Sequence, residues 1–104
     1  MDEWIELVGF SKPDNGRGKT VFINGQEVAI FCVDGALWAI DDSCPHAGSS
    51  LGRSAVDGFT VQCPSHGMKF DLRTGCMPSV PTFGVRTHRV KESDGRFWIA
   101  LAPT

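Results

Sequence analysis

The chain has 104 residues, 41% of them hydrophobic and 21% charged, with a formal net charge of -2. That size and balance fit one globular domain with a single core, and so mild a charge gives no electrostatic ground for binding nucleic acid or an anionic membrane. The opening stretch MDEWIELVGF carries three acids and no long apolar run, so it reads as neither signal peptide nor membrane anchor, and the expected location is the cytoplasm, where thiols stay reduced.

Lys12, Arg17 and Lys19 lie in a Gly/Asp/Asn-rich loop and read as solvated. TVFINGQEVAIFCVDGALWAI then predicts a three-strand meander. Its turns fall at Asn24-Gly25 and Asp34-Gly35, dipeptides that tolerate the positive φ of tight hairpins. Asp41-Asp42 follows and reads as a solvated loop pair. AVDGFTVQC turns at Asp57-Gly58 and enters a strand ending at Cys63. KFDLRTGCM gives a short strand with a turn around Arg73 to Gly75, and VRTHRVKESDGRFWIAL closes as a hairpin at Asp94-Gly95. No segment has helical periodicity over ten or more residues. The expected fold is all-β, an antiparallel sandwich or barrel in one domain spanning 1–104. Trp38, Trp98, Phe22, Phe31, Phe59, Phe97 and Ile99 are expected in its core, and His88 on a strand surface.

Two loops carry chemistry. CPHAGSSLG begins at Cys44 and CPSHGMKF at Cys63, so Cys44-x-His46 is followed, after sixteen intervening residues, by Cys63-x-x-His66. Asp57-Gly58 in the spacer lets the chain turn and come back beside the first loop. Two thiolates and two imidazoles meeting at one sheet end suit zinc or an iron–sulfur cluster. Zinc would want a tetrahedral site, for which Cys44-x-His46 is tight, and no finger helix is evident. In a [2Fe–2S] cluster, each loop would give one ligand to each iron. Four cysteines in a cytoplasmic chain favour metal over disulfides.

The chain resembles the Rieske ferredoxins, whose signature is Cys-x-His, about fifteen to seventeen residues, then Cys-x-x-His. Gly48, Leu51, Gly67, Phe70, Thr74 and Gly75 stand in familiar positions of the two cluster loops (about 43–52 and 62–71), and MPSVP looks like the third, proline-bearing loop over 76–81. The resemblance implies a Rieske-like sandwich or barrel with a small cluster-binding subdomain. It also implies one [2Fe–2S] cluster held by Cys44, His46, Cys63 and His66. An apolar rim of Pro45, Ala47, Met68 and Pro81 would surround the histidines, through which the electron would leave.

High-potential members of the family tie the loops with a disulfide, at positions that here are Ser49 and Ser65, and direct hydroxyl groups at the cluster from positions that here are Met68 and Phe70. Cys32 reads as a small buried residue and Cys76 as a loop thiol, so no disulfide is expected. Loss of those donors implies a low potential, towards about -150 mV.

The leading function is that of a soluble one-electron carrier from a flavin-containing reductase to the terminal oxygenase of an aromatic-ring dioxygenase system, with no substrate pocket of its own. The alternatives are the small subunit of a pyridine-nucleotide-dependent nitrite reductase and, more weakly, a structural zinc module, which would be colourless.

Overall fold

The computed structural model describes residues 3–43, 50–64 and 67–103. Among these no helix occurs. The strands are β1 (Ile5–Glu6), β2 (Gly18–Ile23), β3 (Gln26–Val33), β4 (Ala36–Asp41), β5 (Val56–Asp57), β6 (Thr60–Gln62), β7 (Lys69–Asp71), β8 (Cys76–Met77), β9 (Val80–Gly84), β10 (Thr87–Ser93) and β11 (Arg96–Ala100). All strand pairs within the sheets are antiparallel.

Six strands form the main sheet, in the order β1-β11-β10-β4-β3-β2. Its three hairpins turn where the dipeptides predict. Asn24 (φ 49°), Asp34 (φ 51°) and Asp94 (φ 54°) each precede a glycine that is also at positive φ. Two successive left-handed residues match the twist of the flanking strands.

Strand β4 is followed in sequence by residues 42–86, yet its sheet neighbour is β10. Those intervening residues therefore form an insertion, built from a three-stranded sheet β5-β6-β7 and the ribbon β8-β9. The ends of the insertion are fastened together: Asp41 N–H donates to Arg86 O at 3.0 Å, and the Arg86 Nε–H donates to Asp41 Oδ2 at 3.0 Å.

Strand β3 is the hinge of the packing. Its run VAIFCV is buried residue by residue, because each of its faces meets a different core. Val28 and Ile30 face one cluster, with Leu7, Ile23, Ala39 and Ile99. Ala29, Phe31 and Val33 face the other, where the sheet meets Leu51, Val61, Cys63, Phe70 and Leu72 of the insertion. A strand covered on both faces has no need of polar alternation.

Several expectations are corrected here. Phe22 is 71% exposed: it sits on edge strand β2, and only Gly18 and Thr20 on its face pass beneath the insertion. Phe59 lies at a turn instead of a strand, half-buried edge-on to Trp38 at 5.4 Å. The segment expected as a proline loop is the ribbon β8-β9, with its turn at Pro78-Ser79 and Pro81 within β9. Cys76 accordingly lies on a strand, half-buried. Cys32 is buried as expected and donates its S–H to Asn15 Oδ1 at 3.1 Å.

Candidate metal centre

Of the four expected ligands only Cys63 falls among the described residues. Cys44, His46 and His66 lie outside them, as do Pro45, Ala47, Gly48 and Ser65 of the expected surround. The structure does describe the frame from which both ligand loops spring.

Cys63 follows β6 directly and is fully buried. Its N–H donates to Met68 O at 2.7 Å, and its carbonyl accepts the Gly67 N–H at 3.0 Å. These two bonds hold Cys63 against Gly67 and Met68, with Gly67 at φ 71°, a conformation that costs other residues energy. The second loop is thus held by its own backbone. Phe70, one of the expected surrounding residues, is fully buried in the same core as Cys63, with Met68 packed at its margin. Pro81 has its backbone in β9.

The first loop is held at its neck. Ser43 and Ser50 form an antiparallel bridge, and Leu51 N–H donates to Asp42 O at 2.7 Å. Leu51 enters the same core as Cys63. The two loop bases therefore share one apolar cluster, as the Cys/His pattern requires.

Two acids beside this neck overturn the expectation of a solvated pair. Asp42 is completely buried. Its Oδ1 accepts hydrogen bonds from Thr20 Oγ1 at 2.8 Å, Ser50 Oγ at 3.0 Å and Gly52 N at 2.8 Å, while its buried Oδ2 has no partner. Gly52 is pressed so close that a Cβ there would meet Thr20 Oγ1, and Asp42 Oδ1 at 2.9 Å.

Asp41, one residue earlier, points to the other side of β4 and is ion-paired. Burial works against its charged form, but the hydrogen bonds from Arg86 and His88 outweigh this and hold the carboxyl below its ordinary value of 3.8. His88, expected on the surface, is buried. Its Nδ1 accepts the Ala102 N–H at 2.9 Å, so in the neutral ring the proton is on Nε2 and is donated to Asp41 Oδ1 at 2.8 Å. The partner was invisible in the sequence because it sits on a neighbouring strand, 47 residues away.

The donor set and its surroundings fit an iron–sulfur group. A buried cysteine stands at a strand end, in a core of Leu51, Phe70, Val61 and Leu72 with Met68 and Met77 against it. Such an apolar shell would keep water away from a bound cluster.

Comparison with known proteins agrees. The Rieske [2Fe-2S] domain family matches residues 3–91. The ferredoxin component of the naphthalene 1,2-dioxygenase system of Pseudomonas putida is 32% identical over 101 residues, covering 96% of this chain and 97% of its own. A Mycobacterium tuberculosis structure assigned as an NADH-dependent nitrite reductase small subunit superposes with a TM-score of 0.86 at 25% identity, over 100% of this chain and 99% of that one. A chain in the complex of reduced oxygenase and oxidized ferredoxin of carbazole 1,9a-dioxygenase matches with a TM-score of 0.81 at 27% identity, covering 93% of this chain and 92% of its own.

Proposed function

The chain belongs to the Rieske [2Fe-2S] domain family, its cofactor is a Rieske-type [2Fe–2S] cluster, and from that premise we propose that it is a one-electron carrier that takes electrons from a flavoprotein reductase and delivers them to the terminal oxygenase of an aromatic-ring dioxygenase system. The observation that carries this reading is the end-to-end similarity to a dioxygenase ferredoxin component, which spans 96% of the chain. The whole of 1–104 acts as one such domain, and it works in the cytoplasm.

When bound, the cluster supplies one-electron chemistry at a potential set by its ligands and by the hydrogen bonds to its sulfurs. Cys44 and Cys63 would hold one iron and His46 and His66 the other. Cys63, buried at the end of β6, gives its ligand from a rigid place. The backbone bonds of Cys63 to Gly67 and Met68 fix where the second loop leaves and rejoins the fold. Leu51, Phe70 and Leu72 exclude water from beneath the site. The two histidines would form the exit for the electron. Met68 and Phe70 carry no hydroxyl to stabilise charge arriving on reduction, which keeps the potential low.

Mixing the purified chain with a flavin-containing reductase and a Rieske oxygenase tests the reading. The chain is expected to restore electron flow from pyridine nucleotide to oxygenase, and His66→Ala to abolish it. A chain that carries the cluster yet passes no electrons to any such oxygenase would contradict the assignment.

A second reading has its own observation: the full-length superposition on the nitrite reductase small subunit. Under it, the chain would co-purify with a large sirohaem-bearing subunit. That association separates the two readings.

A further inference from the structure

We propose that Asp42 is the positioning residue of the first ligand loop, gathering both ends of the loop and the edge strand β2 onto one carboxylate oxygen. This rests on the reading that Cys44 and His46 hold the cluster.

The geometry around Asp42 is unusual for a side chain that binds nothing itself. It is completely buried, a placement that disfavours a carboxyl group unless its hydrogen bonds compensate. Three donors converge on Oδ1, and they come from three places: Thr20 on β2, Ser50 at the far end of the loop, and the backbone of Gly52 beyond it. The main chain of the same residue adds two more ties. Its N–H donates to Glu27 O at 3.1 Å on β3, and its carbonyl accepts from Leu51.

Asp42 therefore joins the sheet to the entry and the exit of the loop at once. Cys44 follows it by two residues, and only six residues separate Ser43 from Ser50. Fixing both ends of so short a segment restricts where its side chains can go, so part of the ordering needed to bind a cluster is already met before the cluster arrives. Gly52 belongs to the same device, because any side chain there would push the exit away from Thr20 and Asp42.

The alternative is that Asp42 is merely a satisfied core residue whose loss would weaken the fold without acting on the loop. Asp42→Ala and Asp42→Asn separate these cases, since Asn keeps the acceptor oxygen and Ala removes it. In the full chain without cluster, amide hydrogen exchange at Leu51 and Gly52 is expected to be about tenfold faster in Asp42→Ala and near the parent rate in Asp42→Asn. In the cluster-loaded chain, iron release to a chelator is expected to rise roughly 10–100-fold in Asp42→Ala, and to stay within about threefold of the parent in Asp42→Asn.

Parent-like exchange in Asp42→Ala overturns the clamp. Faster exchange with unchanged iron release overturns its role towards the ligands, and so does an Asn variant that releases iron as fast as the Ala variant. Should Asp42→Ala fail to fold, Thr20→Val removes one donor: faster Gly52 exchange and faster iron release support the proposal, and parent-like values overturn it. A parent chain with no Rieske spectrum would overturn the functional reading and the ligand role together, whereas a normal parent spectrum beside parent-like variants overturns the clamp alone.

Discussion

In the main sheet, β2, β3, β4, β10 and β11 run five to eight residues, and the three hairpins among them pair over five or six residues, whereas the strands of the 42–86 insertion are two to five residues long. The sheet holds its shape by apolar side chains meeting on two faces. The insertion packs Leu51, Val61, Phe70 and Leu72 against one face of the sheet, but strands that short contribute few ladder bonds. The rest of its order comes from single contacts, such as the Asp42 hydrogen bonds, the Cys63–Met68 backbone bond and Gly84 packed against the backbone of Gly75. The two adjacent acids mark the border. Asp41 on β4 holds Arg86 at the end of the insertion through charge and His88 of β10 through a hydrogen bond, and Asp42 ties the first loop to β2 through hydroxyl and amide donors. A β platform thus carries an insertion, the part proposed to hold the cluster, whose order depends on a few replaceable atoms.

Core truncation on either side of β3 breaks the comparison most strongly. Phe31→Ala and Ile30→Ala each remove a fully buried side chain, and each is expected to cost about 2–5 kcal/mol in urea unfolding. Only Phe31 faces the insertion, so only its loss should also hasten iron release. Equal release rates in both variants would mean that the two cores are not separate supports.

Gly75→Ala acts where the insertion meets β10. Gly75 is buried at φ 77°, and a Cβ there would run into Val85 O. We expect a loss of roughly 1–3 kcal/mol, with the amides of the β8-β9 ribbon exchanging faster while those of β3 keep their protection.

A smaller effect is pH-dependent. The Asp41 carboxyl is depressed in the folded chain, so its contribution is fully present above the ordinary value of 3.8 and fades as pH falls through the lower folded value. Asp41→Asn should flatten that part of the acid-unfolding curve and leave its slope near neutrality unchanged. An unaltered acid limb would show that the Arg86 and His88 contacts contribute nothing to it.

The finest adjustment is to the potential. Met68→Ser offers a hydroxyl beside the second loop. If it donates to a cluster sulfur, about 1 kcal/mol of preference for the reduced form is expected, or roughly 40 mV upward for one electron. A redox titration that finds no rise would show that the hydroxyl fails to reach.

Much of the platform was legible because its signals are local. Asn24-Gly25, Asp34-Gly35 and Asp94-Gly95 mark their turns through the backbone angles they permit, and the apolar run of β3 marks a buried strand. The ligand spacing was legible for the same reason, being written within each loop. What escaped depends on distant partners. β1 is two residues long and exists only through β11. His88 is buried because Asp41 and Ala102 come to it. Phe22 is exposed because it stands near the end of edge strand β2. Asp42 looked like a loop acid beside Asp41, and nothing near it in the sequence shows that Thr20, 22 residues earlier, closes over it.

The most direct test is an anaerobic reductive titration of the purified chain, followed by electron paramagnetic resonance and visible absorption. The account predicts a red-brown protein with a Rieske spectrum that appears in a single one-electron step at low potential, towards about -150 mV. A colourless chain holding one zinc ion, or a centre that reduces above zero millivolts at neutral pH, would contradict it.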